Sequence, residues 1–141
     1  MRAKEYLRQI RKLDIKINQR IKEQGELRSR MFSIGGSSTD SVRVQESREG
    51  DKLSNAVSEY LDMEAEIDAM IDDLVNAKHR IIGEIQSLED ERYMQILYMR
   101  YVEYKHFYEI ADELHYSLEH TIRLHGWALV QFEKDVIKCH I

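Results

Sequence analysis

The sequence predicts an all-α fold: a long antiparallel helical hairpin with coiled-coil-like spacing, followed by a C-terminal unit of shorter helices. Three observations carry that expectation. The 141 residues include no proline and only six glycines, and a third of them are charged, so helix breakers are scarce and solvated faces plentiful. Apolar residues recur at intervals of three and four along most of the chain. The two longest periodic stretches carry opposite charge, which selects an antiparallel partner.

The first stretch places Tyr6, Ile10, Leu13, Ile17 and Ile21 on one helical stripe. Its periodicity stops near Met31, where Ile34-Gly35-Gly36-Ser37-Ser38-Thr39-Asp40-Ser41 is small and polar, as expected of a flexible loop spanning about 32–50. The second stretch repeats Leu53, Tyr60, Ile67, Leu74, Ile81 and Leu88 every seven residues, with Val57, Ile71 and Ile85 between them. Glu64 and Lys78 interrupt that second series, so an imperfect seam against one partner helix is expected. Residues 1–31 carry ten lysines and arginines against four acids, and residues 51–91 carry three against twelve. The basic flank of the first helix is therefore expected to neutralise the acidic flank of the second rather than to bind nucleic acid. The expected domains are 1–87, the hairpin, and 88–141.

Within the second domain, Ser87-Leu88-Glu89-Asp90 precedes the apolar run Tyr93, Met94, Ile96, Leu97, Met99 and Tyr101, which predicts a boundary there and a helix from about Leu88 to Val102. A short helix from about Phe107 to Leu114 and a longer one from Ser117 to about Val136 follow. Two short helices crossing steeply need a small residue at the crossing, here Ala111, and apolar residues in the angle between them: Ile110, Leu114, Leu124 and Ala128. Ser117 suits the N-cap of the last helix, and Glu119 lies in its first turn, where the helix dipole favours a carboxylate. His115 occupies the turn, at a position where a positive φ is expected; histidine enters that region more readily than most non-glycine residues, with some strain. Helix, tight turn and second helix form the helix-turn-helix pattern of DNA-binding proteins.

These residues also carry a family likeness. Arg92-Tyr93-Met94-Gln95-Ile96-Leu97-Tyr98-Met99-Arg100-Tyr101, Glu109-Ile110-Ala111, and Ser117 through Ala128-Leu129 resemble region 4 of sigma-70-type transcription factors. His115-Tyr116-Ser117 and Leu124-His125-Gly126, behind a long coiled N-terminal half, look like small proteins of Gram-positive phages and prophages, near the phage late-transcription regulators of the ArpU/RinA type. By position, the resemblance implies a reading helix that turns Leu118, Glu119, Ile122 and Arg123 toward DNA, with Thr121, Leu124 and Ala128 inward. It also implies a regulator that gains affinity from dimerising or from contacting RNA polymerase. Residues 92–141 contain six lysines and arginines against seven acids, so few phosphates can be neutralised by this unit alone. The competing expectation is a protein-interaction module in which Leu118 and Ile122 form an apolar patch for a partner.

Other classes are disfavoured. No apolar run approaches a membrane span and Met1-Arg2-Ala3-Lys4-Glu5 lacks a signal-peptide apolar region, so a cytoplasmic protein without membrane partners is expected. The lone Cys139 has neither a disulfide partner nor a CxxC companion. Glu103-x-x-His106 and Asp112-x-x-His115 superficially match half of a di-metal carboxylate motif, but one straddles a helix end and the other runs into a turn. No cofactor, metal or enzymatic activity is expected. His106, His115, His120 and His125 are expected mostly at solvated or phosphate-facing positions, and the five tyrosines from Tyr93 to Tyr108 as packing residues with hydroxyls at the surface. Homo-oligomerisation through the N-terminal helices is the remaining partner expectation.

Overall fold

With no proline to break the hydrogen-bond ladder, long stretches of the chain are free to remain helical. In a computed structural model, residues 2–35 and 43–140 are described, and they contain helix without any strand. The elements are α1 (Arg2–Leu7), α2 (Gln9–Gly35), α3 (Arg43–Gln86), α4 (Glu91–Leu97), α5 (Phe107–Leu114) and α6 (Leu118–Phe132). Single π-type turns extend α4 over Tyr98–Val102 and α6 over Glu133–Ile137, and Lys138–His140 forms a 3₁₀ turn. The expected loop at 32–50 is helical at both of its ends; its centre, with Gly36-Ser37-Ser38-Thr39-Asp40-Ser41, lies outside the described residues. No helix among the described residues is long and apolar enough to cross a membrane.

The described residues cluster into two compact units, Met1–Asp14 with Asp73–Ile141, and Ile15–Asp72. In the first, Ala3, Leu7 and Ile10 share a core with Ile81 and Ile85 of α3, Leu88 just beyond it, Ile96 and Leu97 of α4, Ile110 of α5, and Leu124, Ala128 and Phe132 of α6. Full burial of each Leu, Ile or Phe contributes about 1.5–3 kcal/mol, so this cluster is the principal anchor of the C-terminal helices. Polar contacts flank it: the Tyr6 hydroxyl donates to Glu84 Oε1 at 2.7 Å and accepts from Arg80 Nε at 3.3 Å. Burial, and then that bond to Glu84, raise the Tyr6 pKa. The second unit is thinner, with Ile17, Leu27, Met63 and Ile67 buried and Arg20 bridging Glu66 at 3.0 Å.

The seven-residue repeat on α3 is only partly inward. Ile67, Ile81, Ile85 and Leu88 are buried, whereas Ile71 is exposed and Met63 and Ala77 fill interior places instead. A straight helix of 3.6 residues per turn drifts about 20° per heptad against a 3.5-residue repeat, so a fixed series walks off its seam. The boundary near residue 88 also differs from expectation in detail. Ser87 does not cap the following helix: its hydroxyl donates to Glu84 O at 2.6 Å and so closes α3. Asp90 caps α4, its Oδ1 accepting from the Arg92 backbone N–H at 2.9 Å, and the helix begins at Glu91. An aspartate one residue before a helix is the stronger cap because its charge also meets the helix dipole.

Candidate functional site

The α5–α6 pair is built from local signals that reinforce one another. At the start of α5, Glu109 reaches back to accept from the His106 backbone N–H at 3.0 Å. At its end His115 adopts φ 59°, ψ 40°, a left-handed conformation. The Tyr116 N–H then donates to Ala111 O at 2.9 Å and the His115 N–H to Asp112 O at 3.4 Å. These are the two bonds of a Schellman closure, which turns the chain within three residues. Ser117 starts the next helix: its Oγ accepts from the His120 N–H at 3.1 Å, and its carbonyl accepts from Thr121 Oγ1 at 2.9 Å.

One face of α6 is interior. Thr121, Leu124 and Ala128 are fully buried against a core that includes Ile110; Ala111 is buried, and Leu114 packs at the margin. Leu118 and Ile122 stand about half exposed, at 50% and 49%, and Trp127 and Val130 continue the uncovered side of the helix. Glu119 and Arg123 project from that side as well, joined by a 3.0 Å ion pair one turn apart. An exposed pair of this kind contributes about 0.3–0.5 kcal/mol and is readily exchanged for a contact to another molecule. The uncovered side of α6 thus combines three partly exposed aliphatics, an indole, a carboxylate and one guanidinium.

His125 departs from the sequence expectation. It is 8% exposed, and its Nε2 lies 2.7 Å from the Tyr101 hydroxyl, with the Tyr101 ring stacked at 5.6 Å and Phe107 edge-on at 4.9 Å. Burial pushes its pKa down to about 4, assisted by the positive charges of Arg100, Lys4 and Arg8. Tyr101 and Tyr104 likewise do not hold their hydroxyls at the surface. Burial raises the Tyr101 pKa, and burial with the nearby Asp14 carboxylate pushes Tyr104 up to about 12. The single polar atom on each ring makes such residues legible as apolar from spacing alone; only the fold determines whether that atom meets water or a partner.

The π-type turn sets these groups in place. Its wider ring closes with Glu103 N–H to Tyr98 O at 3.1 Å, and the chain leaves through Tyr104 at φ 60°, with Lys105 N–H donating to Met99 O at 3.0 Å. Arg100 donates to Lys105 O at 2.9 Å and lies over the Phe107 ring at 4.4 Å, tying the turn to α5. Such extra-residue turns are frequent where side chains are presented for function.

Elsewhere, an open groove of about 630 Å³ is lined by Ile85, Met94, Tyr98, Met99 and Leu114, with Glu91 and Glu103 among its polar groups. Glu103 pairs with Lys105 at 3.3 Å rather than with His106, and Asp112 and His115 are exposed around the α5 turn. Among the described residues no three His, Cys, Asp or Glu side chains gather closely enough to hold a metal ion. No family model, curated protein or solved structure matches this chain.

Proposed function

We propose that the chain is a phage-type transcriptional regulator that binds DNA through α5, the His115 turn and α6 acting as a helix-turn-helix. One observation carries the reading: α6 is entered through a tight left-handed turn, capped by Ser117, buried along Thr121, Leu124 and Ala128, and open to solvent along Leu118, Glu119, Ile122 and Arg123. A recognition helix needs that combination of firm seating and uncovered N-terminal half. The resemblance of 92–130 to sigma-70 region 4 agrees with it. Because α6 offers so few cations, affinity is assigned partly to dimerisation or to RNA polymerase contact.

The N-terminal helices are proposed to form the antiparallel hairpin. In Met1–Asp14 with Asp73–Ile141, Tyr6 meets Glu84 and Gln9 meets Arg80; within Ile15–Asp72, Arg20 meets Glu66 while Arg28 and Phe32 share a depression with Leu53 and Tyr60. In each unit the partner's number falls as the first rises. Ile15, Ile21, Leu61 and Ile71 stay exposed in Ile15–Asp72, which favours a second copy there.

Half-exposed Leu118 and Ile122, with Arg123 engaged by Glu119, favour a second reading in which α6 docks on a protein partner. Fluorescence anisotropy of the full chain with duplex DNA across a salt series separates the two. On the DNA reading, Arg123→Ala weakens binding by about 1–3 kcal/mol without lowering the melting temperature, and Leu118→Lys with Ile122→Lys strengthens it and steepens its salt dependence by up to about two phosphates. If the wild type binds no duplex at any salt and the double lysine variant breaks a dimer or a protein complex, the interaction module stands instead.

A further inference from the structure

The sequence predicts that the basic flank of residues 1–31 neutralises the acidic flank of residues 51–91. Three basic side chains of that segment, Lys4, Arg8 and Arg11, do otherwise. Lys4, Arg8 and Arg11 fall at i, i+4 and i+7, one stripe of a helix, and the stripe runs unbroken across the α1–α2 junction because Arg8 N–H still bonds Lys4 O and Lys12 N–H still bonds Arg8 O, each at 3.0 Å. The stripe meets Arg100 from the π-type turn. Arg8, Arg11 and Arg100, with Tyr101 and Tyr104, line a small, partly open cavity of about 40 Å³. Arg20, Arg80, Arg92, Lys105 and Arg123 all have carboxylates within 4.0 Å, but none of Lys4, Arg8, Arg11 or Arg100 does among the described residues.

We propose that Lys4, Arg8, Arg11 and Arg100 form a phosphate-binding site that grips the backbone of duplex DNA over the cavity beside Tyr101 and Tyr104. The proposal rests on the DNA-binding reading and supplies the cations that α6 lacks. Arg100 is pre-positioned by its bond to Lys105 O and its seat over Phe107, and Arg11 lies 6.0 Å from the centre of the Tyr104 ring. The Tyr104 hydroxyl is buried, and burial with the neighbouring Asp14 carboxylate pushes its pKa up to about 12, so the ring adds no negative charge to the cavity. Asp14 stands near that hydroxyl and opposes an anion, so the arginine end of the cavity is the binding end. The field is already felt inside the protein, where Arg100, Lys4 and Arg8 all disfavour a proton on His125. A guanidinium fork matches phosphate geometry, and a π-type turn that holds one such fork in the lining of the same cavity as two others is a built arrangement rather than a scattered surface charge.

The test uses the full chain and a labelled mixed-sequence duplex of about two helical turns, about 20 base pairs, titrated between about 50 and 200 mM salt. Arg8→Gln with Arg11→Gln is expected to weaken binding at least tenfold at low salt and to lower the log–log salt slope by about 1.8, two phosphate equivalents. Arg28→Gln with Arg30→Gln removes the same charge elsewhere on α2 and leaves affinity and slope within error. Arg8→Lys with Arg11→Lys retains the charge and restores most of the slope, which excludes misfolding as the cause. Equal losses from both glutamine pairs, or none from Arg8 and Arg11 while the wild type binds, overturn the site and leave the DNA reading intact. A wild type that binds no duplex at any salt overturns both.

Discussion

His125 couples folding to pH with a sign that is fixed by its surroundings. A buried imidazole whose pKa falls from 6.5 to about 4 is neutral when folded, while the unfolded chain takes up a proton through the window between those values. Its contribution is therefore complete above about pH 6.5, is lost as pH falls toward 4, and amounts in full to about 3 kcal/mol, of which about 2 kcal/mol is gone by pH 5. Burial is the largest cause of the shift and the positive charges of Arg100, Lys4 and Arg8 add to it; Tyr101 and Phe107 are the neighbours packed against the ring. Carboxylates titrate in the same range, so the measurement is a difference. Urea unfolding of wild type and His125→Gln at pH 7.5 and 5.0 isolates the imidazole, since glutamine can still meet the Tyr101 hydroxyl but does not titrate. His125→Gln is less stable than wild type at pH 7.5 through imperfect packing, and the gap narrows by about 2 kcal/mol at pH 5. A gap that stays constant across the two pH values refutes a buried, neutral His125.

Three further outcomes follow from α5 and α6. His115→Gly relieves a left-handed backbone at an exposed residue, and thermal melts should show stabilisation of about 1 kcal/mol; a clear loss would mean the imidazole makes a contact that offsets the strain. Ser117→Ala deletes the Oγ that accepts from the His120 N–H, and chemical unfolding should register a loss of about 1 kcal/mol, with Ser117→Asp close to wild type. Gly126 sits within α6 with nothing inside 4 Å of where a Cβ would be, so Gly126→Ala should stabilise by about 1 kcal/mol; if calorimetry shows destabilisation, α6 is not a regular helix there.

Local rules made some features legible and tertiary ones concealed others. The Ser117 cap and the left-handed His115 depend on a few adjacent residues, and capping and turn chemistry act at that range. The inward set Thr121, Leu124 and Ala128 also follows from helical period, once a starting residue is known. Period alone places His125 beside Leu124 without telling whether the neighbouring surface is water or Tyr101 and Phe107, so its burial is not legible in the sequence. Ser87 and Asp90 both suit a cap and lie within one turn of each other, and the choice between them depends on where α3 ends. The π-type turn at Tyr98–Val102 left no signal in the pattern at all: one inserted residue shifts Arg100 and Tyr101 by a fraction of a turn, within the tolerance of any amphipathic reading.

Charge is where sequence totals mislead most. Residues 92–141 alone have one more acid than base, a balance that argues against DNA affinity if the C-terminal helices are judged by themselves. Yet the compact unit around α6 includes Met1–Asp14, and Ala3, Leu7 and Ile10 bury one side of that segment in the shared core. Fixing the apolar side fixes the other side too: with Leu7 inward, Lys4, Arg8 and Arg11 must lie along an adjoining stripe. Cations distant in sequence are thereby added to the surface that holds Arg100, and fields from charges within about a Debye length, roughly 8–10 Å, act together on a polyanion. Removing the N-terminal fourteen residues should therefore unfold this unit rather than simply lower its charge, whereas exchanging only Arg8 and Arg11 leaves the core intact. The electrostatic and structural roles of the segment are separable side chain by side chain because they occupy different faces of one helix.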